Sequence, residues 1–190
     1  MEDTPTREAV VPRLRGRFGH EYTFVESTPS TQRLLPPDAP EGAVAVADEQ
    51  TEGRGRLGRR WEVAGGTSVL CSVQLLPAAD ASHFPQLTVV GAEAGADAIR
   101  VVTGLEPALK HPNDVLIGGR KVAGVLGESS DGRIVLGTGI NVNVPADELP
   151  VDVRIPATSL LAELGEPVDR IELLVEFLAA LERRYGSWLK

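Results

Sequence analysis

The chain of 190 residues carries 19 Lys+Arg against 27 Asp+Glu, a formal net charge of −8, and 42% of it is hydrophobic. That length suits one sizeable domain with its own core, the hydrophobic share argues against wholesale disorder, and the acidic balance argues against a general polyanion binder. A single cysteine, Cys71, permits no internal disulfide; with no signal-peptide pattern at the start and no apolar run near the roughly 20 residues of a membrane span, the expectation is a cytoplasmic protein.

Residues 1–21 contain one short amphipathic segment, Ala9–Leu14, and no room for a helix-turn-helix with a linker. They are expected to be an N-terminal extension to a domain over 22–190. Tyr22–Glu26 reads as a strand from its aromatic and β-branched content. Pro29 biases Thr28 away from the helical region, and Ser30 fits as the cap of a short helix to Leu35. Pro36–Pro40 is a surface turn. Gly42–Gln50 is a strand of small apolar residues, and Thr67–Leu76 is a longer one that holds Cys71 as a buried hydrophobe. Ala81–Val102 is a helix, with Leu87, Val90, Gly91, Ala94, Ala98 and Val101 at helical spacing.

Ala108–Lys110 ends a strand before the turn His111-Pro112-Asn113-Asp114. Val115–Ile117 and Arg120–Glu128 are strands joined at Gly118-Gly119, and Asp131-Gly132 makes the next hairpin into Ile134–Val144. Val151–Pro156 is irregular, and Thr158–Leu164 is a short helix closed by Gly165. The helix Asp169–Leu189 carries Leu173, Leu174, Phe177, Leu178, Leu181 and Tyr185 on one face. Strands, one long helix, a run of hairpins and then helices predict an α+β domain: a mixed, mostly antiparallel sheet with helices packed on it.

The chemistry concentrates in Gly53-Arg54-Gly55-Arg56-Leu57-Gly58-Arg59-Arg60-Trp61. These nine residues hold four of the 19 basic side chains and one of the two tryptophans. Glycines let backbone N–H groups approach a ligand closely, and guanidinium forks match carboxylate or phosphate oxygens in pairs. The combination suits a small anion with an apolar part, Trp61 forming a wall; the bland alternative is a solvated basic loop. In Ile134–Val144, period 2 puts Leu136, Thr138, Ile140 and Val142 on one face and Gly137, Gly139, Asn141 and Asn143 on the other. The glycine face can take a flat ligand with Asn141 beyond it, although a bulge or close packing explains two strand glycines as well. Lys121 beside a hairpin turn reads by itself as an exposed edge charge. Asn113-Asp114 reads as a turn pair or as a carboxylate for magnesium or a proton. Gln50, Ser30 and Thr31 are candidate polar readers of a ligand.

In order along the chain, these segments resemble the biotin protein ligases. Gly53–Trp61 looks like the family's adenylate loop. Lys110-His111-Pro112-Asn113-Asp114-Val115 with Arg120-Lys121-Val122-Ala123-Gly124-Val125-Leu126 is similar to its second signature, and Gly137-Thr138-Gly139-Ile140-Asn141-Val142-Asn143 to its third. Ser30-Thr31-Gln32 is similar to its Ser-Thr-Asn element, and Ala157-Thr158-Ser159-Leu160 to a segment before its last helices. Several motifs in the right order are far more specific than any one.

The resemblance implies an ATP-dependent ligase that makes biotinyl-5'-adenylate and passes biotin to a lysine of a carrier domain, as in acetyl-CoA carboxylase. It implies that Ser30, Thr31 and Gln50 contact the biotin rings, with Gly124 and Gly137 lining the slot. Gly53, Arg54 and Arg56 would close over biotin and its adenylate, and Trp61, Asn113 and Asn141 complete the substrate-binding set. Lys121 would bind the biotin carboxylate, with Arg56 and Asp114 beside it as catalytic residues, Asp114 helping to hold magnesium or to orient the incoming lysine. Biotin, ATP and Mg²⁺ are the expected ligands; nucleic acid and membranes are not expected, and a homodimer is left open.

The chain departs from the family pattern at His111, where tryptophan is usual, and at Glu62–Gly66, which lacks Ser-Pro. Val144–Pro156 is short and has no aromatic residue to cover an adenine. The resemblance stops at Lys190, where the family continues into a small β-barrel, so the expectation is a catalytic domain without that barrel and without a DNA-binding domain. The rivals are a lipoate or octanoate ligase or transferase of the same fold, a non-catalytic biotin-binding regulator and, last, a nucleic-acid module.

Overall fold

The computed structural model describes residues 3–151 and 153–190. Seven strands form one sheet among them: β1 (Tyr22–Thr28), β2 (Val44–Gln50), β3 (Ser68–Leu75), β4 (Ala108–Lys110), β5 (Asp114–Ile117), β6 (Arg120–Ser130) and β7 (Arg133–Asn141). Their order across the sheet is β1-β2-β3-β7-β6-β5-β4. β1 and β2 are parallel, and the other neighbours are antiparallel. The helices are α1 (Arg7–Val10), α2 (Phe84–Thr103), α3 (Leu160–Leu164) and α4 (Arg170–Trp188). This is the mixed, mostly antiparallel α+β architecture expected from the sequence.

Both two-residue hairpin loops have positive φ at both positions: 55° and 79° at Gly118-Gly119, 52° and 78° at Asp131-Gly132. That geometry matches the right-handed twist of the flanking strands, and glycine or aspartate adopts it at little cost. α2 starts with Pro85 in its first turn and ends at Gly104, whose left-handed conformation lets its N–H bond the Arg100 carbonyl. A Cβ at Gly91 would lie 3.1 Å from Val125 and 3.5 Å from Leu136, so this glycine lets α2 sit down on β6 and β7. Asp169 caps α4 by accepting from the N–H groups of Ile171 and Glu172 at 2.8 and 3.1 Å.

The main core lies between the sheet and the layer of α2 and α4, with Leu87, Ile99, Leu136, Ile140, Leu174 and Phe177 all buried in it. Cys71, fully enclosed there, has its thiol pushed up to about 12 by burial, which keeps it a hydrophobe and not a nucleophile. The other face of the sheet carries a smaller cluster of Leu35, Ala39, Ala43, Ala45 and Val135, and beside it the pocket described below. Residues ahead of β1 pack on the main core: Val10 and Phe18 are buried within it, and Tyr22 donates to the Pro5 carbonyl at 2.6 Å.

Several boundaries differ from expectation. The segment after Ser30 is a single 3-10 turn, Thr31–Leu34, and Ser30 makes no capping hydrogen bond; four residues ending at Leu35 and Pro36 are too few for an α-helix. α2 begins at Phe84 because Asp80 spends its carboxylate on a separate 3-10 turn, Ala81–His83, through the Ser82 N–H at 2.8 Å. β7 ends at Asn141, and Asn143 instead bonds Thr67 and Val168. α3 starts only at Leu160, since Ser159 is its cap and accepts from Ala162 N. In the irregular stretch 151–156, Asp152 lies outside the described residues. No helix of the described residues is long and apolar enough to cross a membrane.

Candidate functional site

The arginine loop is a small closed hairpin. Trp61 N donates to Gly53 O at 2.9 Å, Gly55 N to Arg59 O at 2.7 Å, and Arg54 pairs with Arg60 as an antiparallel bridge. Gly53 permits this closure because a Cβ there would run into the Trp61 carbonyl oxygen. At the tip Leu57 holds a left-handed φ of 60° with 90% of its surface exposed. Two latches tie the loop to the sheet. Arg54 meets Glu128 of β6 with both guanidinium nitrogens, at 3.0 and 3.1 Å. Arg56 Nη1 donates to Asn113 Oδ1 at 3.2 Å, and Asn113 is itself fixed by donating to Val125 O at 3.1 Å.

Under the loop is a cavity of about 350 Å³. Its floor is the glycine face of β7 together with Gly124 of β6. The Trp61 indole rests on this floor instead of forming a side wall. A Cβ at Gly139 would lie 2.6 Å from the indole Cε2, and one at Gly124 would lie 3.1 Å from Cζ3. The indole Nε1 is buried without a hydrogen-bond partner among the described residues. A Cβ at Gly137 would lie 3.1 Å from the Gln32 side chain, whose amide N–H groups reach Leu126 O and Val135 O at 3.1 and 3.4 Å.

One end of the cavity is polar. Gln50 Oε1 accepts from Thr31 N at 2.8 Å and Thr31 Oγ1 at 3.2 Å. Those bonds fix the amide so that its NH₂ is left for a ligand. Ser30 is 2% exposed and lines the same end. Asn141 donates to Thr158 O at 2.9 Å, while its Oδ1 is buried with no partner among the described residues.

The other end is cationic. Lys121 Nζ lies 2.6 Å from Asp114 Oδ1, an ion pair off the angle of a hydrogen bond, and 5.3 Å from the Trp61 ring centroid. Its direction comes from a register shift: Leu116 pairs with Lys121 and Val115 with Ala123, leaving Val122 as the extra residue of a bulge. A bulge re-aims the neighbouring side chain. The backbone of Lys121 also leaves β7 for residues 156–158, with Lys121 N donating to Pro156 O at 2.7 Å and Thr158 N to Lys121 O at 2.8 Å. Lys121 is thus not an edge charge; its side chain is 22% exposed and in the pocket.

The structure gathers most of the predicted residues into this one cavity. Ser30, Thr31, Gln50, Arg54, Arg56 and Trp61 line it, as do Asn113, Lys121, Gly124, Gly137 and Asn141. Gly53 stands behind Trp61, and Asp114, 6% exposed, stands behind Lys121; neither is on the lining. Sequence reasoning gave no individual role to Gln32, Arg59 or Arg60 and missed Glu128 and Arg154; all but Glu128 line the cavity. The arginine run itself signalled Arg59 and Arg60. Nothing local marks Arg154, whose position depends on the pairing of 156–158 with Lys121.

A mixed sheet bearing a glycine-floored slot, polar at one end and cationic at the other, defines a domain built around one small-molecule pocket. Residues 24–144 match the model of the biotin/lipoate A/B protein ligase family, and the chain belongs to that family. It is 36% identical over 195 residues to the bifunctional ligase/repressor BirA of Bacillus subtilis, covering 100% of this chain and 60% of that one. To the biotin--[acetyl-CoA-carboxylase] ligase of Paracoccus denitrificans it is 34% identical over 171 residues, 86% of this chain and 69% of that one. The biotin protein ligase from Aquifex aeolicus in complex with biotin and ATP superposes with a TM-score of 0.80 at 34% identity, covering 89% of this chain and 72% of that one. The chain spans 56% and 60% of the lengths of its two Bacillus relatives.

Proposed function

We propose that this chain activates biotin with ATP as biotinyl-5'-adenylate and transfers it to a lysine of a carrier domain, such as that of acetyl-CoA carboxylase. The observation that carries this reading is one cavity with an amide-rich end, a glycine floor and a cationic end, in a chain of this family. The ring system lies on Gly124, Gly137 and Gly139 in place of the Trp61 indole. Its cyclic urea is read by Ser30, Thr31 and the Gln50 NH₂. The valerate carboxylate runs toward Lys121.

The chemical problem is to bring two anions together. The carboxylate oxygen attacks the α-phosphorus, the bond from that phosphorus to the bridging oxygen breaks, and the electron pair leaves with pyrophosphate. Lys121 moves from Asp114 to the carboxylate and holds the charge in place, while Arg56 presents its fork from above. The bidentate Arg54–Glu128 latch keeps the loop over the product, which limits hydrolysis of the mixed anhydride.

No cluster of three or more His, Cys, Asp or Glu able to hold a metal exists among the described residues. The donor set fits a magnesium ion that arrives on the nucleotide, as is usual for phosphate-bound magnesium, with Asp114 as the one carboxylate beside Lys121. When bound, magnesium shields the polyphosphate charge.

The test is ATP–pyrophosphate exchange with biotin, lipoate or octanoate supplied separately. Exchange stimulated by biotin and not by the others is expected. Equal stimulation by lipoate or octanoate would move the chain to the other branch of its family, and tight biotin binding without exchange would make it a binding protein.

A further inference from the structure

On the side away from β5, Lys121 takes its backbone support from outside the sheet. The ladder of β6 with β7 starts only at Ala123. The turn before it, Gly118-Gly119, is open: beyond the adjacent residues, no described atom lies within 4 Å of a Cβ built at either glycine. What holds Lys121 there is the segment leading into α3. Pro156 O accepts from its N–H at 2.7 Å, and Thr158 N donates to its carbonyl at 2.8 Å.

That segment is in turn held by one carboxylate. Glu163 stands in the first turn of α3, with its side chain only 11% exposed. Its Oε1 accepts from the Thr158 hydroxyl, and its Oε2 accepts from Arg120 Nη2 at 2.8 Å. Thr158 is the residue that bonds the Lys121 carbonyl, and Arg120 precedes Lys121 in the chain. The two oxygens therefore act on one stretch of backbone from two sides. α3 gives them a firm base: Ser159 Oγ donates to Val144 O at 2.6 Å and Leu161 N to Val142 O at 2.8 Å, which ties its first turn to the residues following β7.

An ion pair with a half-exposed Arg120 adds little to stability. A carboxylate bond to the buried Thr158 is short and directional, so what the pair of contacts fixes is direction. Lys121 leaves its backbone beside a bulge, where a small rotation of the peptide swings the ammonium at the end of its flexible stem. We infer that Glu163 is a positioning residue for Lys121, clamping Thr158 and Arg120 so that the ammonium is aimed into the cavity beside Asp114. Its effect on turnover rests on the adenylation proposed above, whereas its effect on the lysine rests on these contacts alone. A misaimed ammonium still attracts a carboxylate, so the loss falls on kcat more than on KM.

The experiment compares wild type, Glu163→Ala and Glu163→Gln. The glutamine variant keeps an oxygen that accepts from Thr158 and loses the charge facing Arg120. Competitive acetylation of the folded protein by acetic anhydride, read by mass spectrometry, gives the reactivity of Lys121 against Lys110 and Lys190, the other lysines of the chain. Lys121 is expected to react severalfold faster in the alanine variant and close to the wild-type rate in the glutamine variant. In biotin-dependent pyrophosphate exchange, the alanine variant should lower kcat about tenfold with the KM for biotin and for ATP within about twofold, and glutamine should restore most of it. Deleting a side chain also risks loosening α3 as a whole, so Thr158→Val is the second variant. It removes the hydroxyl, leaves the backbone bonds, and should reproduce part of both changes. Unchanged Lys121 reactivity in both Glu163→Ala and Thr158→Val overturns the inference whether or not the chain catalyses exchange. A rise in both KM values as large as the fall in kcat, or no recovery in Glu163→Gln, also overturns it, because either describes general loosening. The expected acetylation pattern in a chain whose wild type shows no exchange would support the positioning and count against the adenylation reading alone.

Discussion

Gly139 shows at one position how the site couples the strand to the loop. Its φ is ordinary, so glycine is required there by space and not by backbone conformation. A Cβ would stand 2.6 Å from Trp61 Cε2 and 2.8 Å from its Nε1, closer than carbon atoms approach without displacement. Gly139→Ala should lift the indole off the floor and equally exclude any flat ring that replaces it. The expected result is biotin binding weakened at least tenfold, in line with overpacking penalties of about 1–3 kcal/mol, and a red-shifted Trp61 emission over the constant background of Trp188. Stability should change little, since the glycine faces the pocket and not the main core. A titration calorimeter and an emission spectrum decide it; unchanged affinity would mean that the ring does not lie on the glycines.

At the scale of elements, the sequence was legible wherever one physical rule acted locally. Gly118-Gly119 and Asp131-Gly132 announced their hairpins because two consecutive positive φ values leave few residue types. The period-2 reading of β7 placed Gly137, Gly139 and Asn141 on the pocket face and Leu136 and Ile140 in the core, where the structure has them. Lys121 and Arg154 were different. The lysine escapes the fate of a hairpin-edge charge through a bulge at Val122 and a bridge to Ala157, neither of which has a local signature. The same bridge brings Arg154 to the site. Trp61 lines the cavity, but its place on the floor depends on the closure of the whole loop.

The packing of α2 on α4 provides a pH test at this scale. Arg184 donates to both oxygens of Asp97, at 2.6 and 3.0 Å. These hydrogen bonds, against the opposing effect of burial, hold the Asp97 carboxyl below the usual carboxylate range. A lowered folded-state value means the contribution is complete above the ordinary carboxylate value of about 4 and is lost as pH falls through the lower one. Asp97→Asn should thus lower Tm at pH 7 by about 3 °C, corresponding to about 1 kcal/mol. The gap from wild type should close as the pH is taken toward 3. Thermal melts across that range check it, and a gap independent of pH would show that the carboxylate charge is not what joins the helices.

For the whole molecule, the decisive feature is Arg170, 2% exposed at the start of α4. Its guanidinium reaches Asp3 at 3.0 Å, Asp48 at 2.7 Å and the Ser68 carbonyl at 3.4 Å. One side chain therefore joins the residues ahead of β1, the strand that leads into the arginine loop, the neighbouring strand β3 and the last helix. Asp3 does more than neutralise charge. Its Oδ2 also accepts from Arg170 N at 3.3 Å and from Asn143 Nδ2 at 3.4 Å. Removing one partner of a buried ion network leaves charge uncompensated, which is why such losses exceed those of surface pairs. Asp48 remains in Asp3→Ala, so the expected loss is about 2 kcal/mol, the scale of a hydrogen bond to a charged group, or a Tm lower by roughly 6 °C. Biotin affinity well below that Tm should remain within about twofold, because Gln50 is held by Thr31 and by its ladder with β1. Calorimetric melting and biotin titration of the same variant separate the two effects. An unchanged Tm would mean that the residues ahead of β1 are not braced through Arg170. A collapse of biotin affinity at low temperature would mean that the brace reaches through Asp48 into the site.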